Sequence, residues 1–153
     1  MSDRSVSADD LTPGHRVHLG EYTVSQDELV RFAREWDPQW FHTDVEAAAE
    51  GHFGGLIASG IHTLAIYQKL SVETLYTSWD VLAGRGFDRL RFVAPVRPGA
   101  TLTGEIEVAE VKLNERHGAV STNVELKVQD GTTVLAGLMT VVVWRRGKNP
   151  RTE

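Results

Sequence analysis

The chain contains no cysteine. Disulfides, zinc–thiolate sites, iron–sulfur clusters and thiol nucleophiles are therefore excluded, and the absence agrees with a reducing cytosol. It has no apolar run near the length of about 20 residues that crosses a bilayer. The N-terminal residues are polar, without the apolar core of a signal peptide. These absences predict a cytoplasmic protein with no membrane partner. Positive charge is scarce too: 16 Lys and Arg against 21 Asp and Glu leave a net charge of −5. A nucleic-acid binder normally shows a basic excess, so none is expected here. The basic residues Arg145, Arg146, Lys148 and Arg151 cluster near the C-terminus and read as a solvated end.

What is present is ordinary for one folded unit. The 153 residues, 41% of them hydrophobic, exclude a disordered chain and suit a single domain. At this size about two thirds of the unfolded chain's surface is buried on folding, enough for a core with an internal pocket. We expect a loosely ordered segment over 1–19, with Pro13-Gly14 as a turn, one domain over 20–146, and a polar tail over 147–153.

Helical patterns come first. Ser25-Gln26-Asp27-Glu28 reads as a capping box. Leu29, Val30, Phe32, Ala33 and Trp36 then recur at helical spacing, giving a helix over 26–36. Pro38 stops it and pushes Asp37 out of helical geometry. Asp44 caps a short helix to about Glu50. A long apolar segment, Ser59 to about Trp79, predicts a helix wrapped by other structure. Strand patterns follow: a short one over 21–24, then 90–93, 102–111, 119–128 and 134–144, with Asp130-Gly131 closing a tight hairpin. Helices followed by an antiparallel meander predict an α+β fold whose twisted sheet curls around the long helix.

The segment from Asp37 to Asp44 gathers the residues able to do chemistry. Asp37 and His42 lie five apart across a loop, flanked by Trp36, Trp40 and Phe41. An apolar surround raises a carboxylate's pKa, and an imidazole moves protons near neutral pH, so such a pair can hold a water and shuttle its proton. On spacing alone, Asp37 as a turn cap and His42 as a packed surface histidine fit equally. A second segment, Gly54-Gly55-Leu56-Ile57-Ala58-Ser59-Gly60-Ile61-His62, opens the long helix. Helix N-termini present unpaired amides and partial positive charge. Without a side chain, Gly60 lets a ligand carbonyl approach its amide, an oxyanion-type arrangement. Ser59 also reads as a plain helix cap.

Together these segments resemble the MaoC-like acyl dehydratases, the family that includes (R)-specific enoyl-CoA hydratases. The family's Asp-x-Asn-Pro-hydrophobic-His motif is met by Asp37 and His42, its glycine at the helix mouth by Gly60, with Ser59 before it. Arg91-Phe92-Val93-Ala94-Pro95-Val96-Arg97-Pro98-Gly99 is similar to its strand-and-turn stretch, with Ala100 in place of aspartate. Gln39 stands where asparagine is usual and Trp40 where proline is usual. The resemblance covers about 20–144. It implies a hotdog fold and a pairing of hotdogs into a homodimer or higher homo-oligomer. It also implies a hydratase acting on acyl-CoA or an acyl-carrier thioester, with coenzyme A entering only as part of the substrate and no other cofactor. Asp37 and His42 would be catalytic. Ser59, Gly60, Gln39, Trp40, Phe41 and Ile61 would form the oxyanion and substrate pocket.

His42, His52 and His62 lack the spacing of metal ligands on one helix, so no metal site is expected; His62 reads as a helix-face residue near the pocket mouth. Arg85, Arg89, Arg91 and Arg97 fit either phosphate contacts to coenzyme A or solvent-facing positions on strands. Two other functions use the same fold. A hotdog thioesterase would carry its carboxylate on the central helix, where the sequence offers Glu73. A non-catalytic acyl-thioester-binding subunit would have no need of both Asp37 and His42.

Overall fold

A computed structural model describes residues 5–152. Five strands form one antiparallel sheet: β1 (Arg16–Thr23), β2 (Val81–Phe92), β3 (Thr101–Leu113), β4 (His117–Lys127) and β5 (Thr133–Trp144), in the order β1-β3-β4-β5-β2. Four helices precede β2: α1 (Gln26–Trp36), α2 (Trp40–Thr43), α3 (Val45–Glu50) and α4 (Gly60–Ser71). The sheet wraps α4, as the hotdog expectation requires. Ile66, Tyr67 and Leu70 of α4 share one core with Leu102, Ile106, Val120, Val124 and Val141 of the strands. The alternation in β3 and β4 puts every second residue into that core, and Val141, Val142 and Val143 of β5 are all buried. Among the described residues no helix is long and apolar enough to cross a membrane.

Several boundaries depart from the sequence expectation. The segment over 1–19 is not loose where it is described. Val6 bridges to Trp79, residues 8–10 form a short 3₁₀ turn, and β1 starts at Arg16 with Leu19 fully buried. Pairing with β3 supplies the order that local sequence does not. Residues 1–4 of that segment lie outside the described residues. The tail also folds back. Asp9 accepts two hydrogen bonds from the Arg145 guanidinium (3.0 and 2.8 Å), Arg146 pairs with Asp10, and Asn149 donates to Asp80. Arg145 and Arg146 are therefore paired with acidic partners rather than simply solvated. Glu153 lies outside the described residues.

The long helix ends earlier than its apolar pattern. At Ser71 the hydroxyl donates to the Tyr67 carbonyl (2.8 Å), and a π-helical turn covers Val72–Tyr76. Such back-bonding competes with the regular ladder. β2 is far longer than 90–93, because it borrows the pairing of β5. Three bulges interrupt that ladder, and at the last of them Arg89 takes a left-handed backbone (φ 50°).

Candidate active site

Local sequence delivers a carboxylate to the mouth of α4. Ser25 accepts from the Glu28 amide (3.2 Å) and starts α1. The other half of the capping box is not made: the Glu28 carboxylate instead bonds Tyr22 and His62. Pro38 ends α1, leaving Asp37 outside helical geometry (φ −155°, ψ 71°) just beyond it. What reads as a loop then forms one turn, α2, which turns His42 inward, and Asp44 caps α3 through the Ala47 amide (3.0 Å).

Asp37 and His42 meet. His42 Nε2 lies 3.3 Å from Asp37 Oδ2, and the imidazole is 4% exposed. His42 Nδ1 lies 2.7 Å from the Ile57 carbonyl oxygen. A carbonyl can only accept, so Nδ1 carries a proton and a neutral His42 presents its Nε2 lone pair to the carboxylate. Two acceptors thus face each other. One proton, or a bridging water, satisfies both, which suits a site that takes up and returns a single proton.

Two further donors hold Asp37. The Ser59 hydroxyl donates to Oδ2 (2.7 Å) and the Gln39 amide donates to Oδ1 (2.9 Å). The lengthened side chain at Gln39 therefore still reaches the carboxylate. These bonds, that from Ser59 foremost, hold the Asp37 carboxyl below the usual aspartate value of 3.8. The expectation that aromatic neighbours raise it is overturned: hydrogen bonds to the charged form outweigh the desolvation.

Ser59 has a second task. Its oxygen accepts from the Ile61 amide (3.2 Å) as N-cap of α4. Gly60 is the first residue of α4, so its amide has no intrahelical acceptor. A β-carbon at Gly60 would sit 2.6 Å from the Phe92 ring, so any side chain there would have to displace that half-exposed ring.

The remaining expected pocket residues are more dispersed. Trp40 and Phe41 donate no hydrogen bond to Asp37. They stack edge-on (5.4 Å between centroids) and, with Ala48, Gly51 and Phe53, line an apolar pocket of about 200 Å³. Ile61 faces outward, 52% exposed. A larger groove of about 640 Å³ lies on the sheet, lined by Arg16, Arg89 and Arg91 with Glu105, Glu107 and Glu125. Its charges are mixed and it does not include Asp37 or His42. Arg97 instead donates to the Gly55 carbonyl (3.3 Å) and to that of Phe53, tying down the approach to α4. His62 is not at a pocket mouth: it is 4% exposed and held beneath α1. Sequence reasoning missed the Ile57 carbonyl, which as a backbone atom leaves no residue-type signal.

The chain is similar to known proteins over most of its length. A family model described as "MaoC like domain" matches residues 10–130. The Bacillus subtilis protein YdeM is 37% identical over 139 residues, covering 90% of this chain and 98% of that protein. The 3-hydroxyacyl-thioester dehydratase Z of Mycobacterium tuberculosis is 34% identical over 120 residues, covering 74% of this chain and 80% of that one. Among solved structures, the MaoC-like dehydratase from Rhodospirillum rubrum superposes with a TM-score of 0.82 at 32% identity, covering 93% of this chain and 99% of that one.

Proposed function

This chain belongs to the MaoC-like domain family, and we propose that within it Asp37 and His42 are the acid/base pair that adds water to a trans-2-enoyl thioester, giving an (R)-3-hydroxyacyl thioester, or runs the reverse dehydration. One observation carries the reading. A carboxylate and an imidazole nitrogen face each other at 3.3 Å beside the N-terminus of α4, each oriented by its own further hydrogen bonds.

The step balances without a cofactor. Water held between Asp37 Oδ2 and His42 Nε2 gives a proton to the pair as its oxygen bonds to C3. The C2–C3 π electrons move onto the thioester oxygen as an enolate. The Gly60 amide and the positive end of α4 face that charge. As the enolate collapses, C2 takes a proton from His42 Nε2. The apolar pocket behind Trp40 and Phe41 lies next to the imidazole, whose ring meets Phe41 edge-on at 4.4 Å.

A thioesterase reading is less well served. Glu73 lies in the π-helical turn after α4, exposed and paired with Lys69 at 2.6 Å, at the opposite end of the helix from Gly60. We also propose that a second copy covers β2. This edge strand of 12 residues leaves its outer backbone unpaired, and Leu82, Phe92 and Val93 stand exposed on or beside it. Light scattering at micromolar concentration should then give twice the monomer mass.

The deciding assay follows crotonyl-CoA and longer trans-2-enoyl-CoAs. Loss of the enoyl-thioester absorbance is the expected result. Release of free thiol in its place identifies a thioesterase, and binding with neither signal identifies an acyl-thioester-binding subunit; either overturns the hydratase reading.

A further inference from the structure

The proposed reaction leaves unused a second buried histidine, two residues beyond Gly60. The His62 ring stacks face to face on Phe32 of α1, with centroids 4.4 Å apart and planes 9° from parallel. Its Nε2 lies 3.2 Å from Glu28 Oε2. The other Glu28 oxygen accepts from the Tyr22 hydroxyl of β1. That bond pushes the Tyr22 pKa up to about 12, so Tyr22 keeps its proton and donates. His62 Nδ1 is buried with no partner. A bare ring nitrogen is a cheaper orphan than a buried N–H, so the proton sits on Nε2 and is donated to Glu28. Burial holds the His62 pKa below its ordinary value despite the pull of Glu28. The other charges bearing on this cluster are Arg31 of α1, and Lys69 and Glu73, which pair with each other.

Polar contacts join α1 and its C-terminal residue to α4 in two places. At one end Asp37 accepts from Ser59, the N-cap of α4. Toward the other, Glu28 and Phe32 grip His62. Asp37 follows Glu28 by nine residue steps, roughly 14 Å at the rise of an α-helix. A rod this short is stiff, so a shift where Glu28 is held is carried to Asp37. Pro38, immediately after Asp37, ends the helix, and the chain turns through Gln39 into the short α2.

We propose that Tyr22, Glu28 and His62 form a positioning clamp that sets α1 on α4 and so holds Asp37 against Ser59 and His42; as a contribution to catalysis, it rests on the hydratase reading above. None of the three touches the reacting atoms. A displacement of about 1 Å at a catalytic group can cost on the order of a hundredfold in rate. Glu28→Leu and His62→Leu should therefore lower kcat for crotonyl-CoA hydration about tenfold or more, with KM nearly unchanged. Glu28→Gln can accept from His62 through its amide oxygen while the Tyr22 hydroxyl turns to accept from its NH2, and it should keep most of the rate.

A second readout needs no substrate. In a carboxyl NMR titration, Glu28→Leu should move the Asp37 pKa up toward the ordinary aspartate value, as Ser59→Ala does. Ser59→Ala added to Glu28→Leu should move it no further, because both remove one hydrogen bond. A wild-type Asp37 titration and rate in Glu28→Leu overturn the clamp. If His62→Leu does not fold, Glu28→Leu and Tyr22→Phe give the same reading from partly exposed positions. Should the wild-type chain hydrate no enoyl thioester, the hydratase reading fails on its own, and the Asp37 titration still decides whether the clamp holds the carboxylate.

Discussion

His42 and His62 are equally buried, each 4% exposed, and each turns Nε2 toward a carboxylate, 3.3 Å from Asp37 and 3.2 Å from Glu28. Their second nitrogens set them apart. His42 Nδ1 meets the Ile57 carbonyl, while His62 Nδ1 meets nothing polar. Charged, His42 has an acceptor for both of its N–H groups; charged, His62 would bury one unsatisfied. One carbonyl oxygen thus separates a histidine equipped to change its protonation state from one equipped to keep it. Burial and a nearby carboxylate, taken alone, do not identify a catalytic histidine.

The comparison breaks first on activity. Asp37→Asn and His42→Gln should each reduce enoyl-thioester hydration by about a hundredfold or more, the range lost with a general acid or base. If His62→Leu costs as much as His42→Gln, the two histidines do not differ in the way their second nitrogens imply.

Stability sharpens it next. His62→Ala removes a buried, stacked ring and leaves one Glu28 oxygen without its donor, so chemical denaturation should show a loss of about 2–4 kcal/mol. The pH dependence has a definite sign. Below the ordinary histidine value of 6.5 the unfolded chain takes a proton that folded His62 refuses. Stability should therefore fall as pH drops from that value to the lower folded value, then level off. His62→Leu should flatten this stretch of the curve. Asp37 acts in a different window. Its lowered pKa adds stability above the ordinary value of 3.8, lost as pH falls through the folded value.

Ser59→Ala is smaller. It removes the N-cap of α4, worth about 1 kcal/mol, and raises the Asp37 pKa by taking away its closest donor. Smallest of all is Arg145→Ala. Its pair with Asp9 is 2.8 Å long but partly solvated, so thermal denaturation should register at most about 1 kcal/mol.

The sequence carried α1, its stop at Pro38, the Asp44 cap and the meander β3–β5, because each has its own local signal in periodicity, capping or turn chemistry. It carried Asp37 and His42 only through Gly60 at the helix mouth and the family resemblance, since their spacing alone fits a turn cap and a packed histidine as well. It did not carry most of β2. Residues such as Gly84, Arg85, Gly86 and Asp88 have poor strand propensity and are extended by pairing with β5. His62 was misplaced for a related reason: helical periodicity gives the angle of a side chain but not what covers it, and here α1 does. The pKa of Asp37 was misjudged because its donors come from Ser59, 22 residues away, and from a Gln39 side chain whose reach composition does not show.

The strand order has a bearing on how the chain comes to be folded at all. Both outer strands precede their partners in the chain: β1 waits for β3, and β2 waits for β5. Until Thr133–Trp144 is available, β2 has no ladder and α4 lacks part of its cover. From the synthesis of β2 until that of β5, the nascent chain therefore carries an unpaired β2 and a partly covered apolar helix, a species exposed to misassociation. Loss of the final strand removes two strands from the sheet, so a stop codon near residue 130 should yield an aggregate.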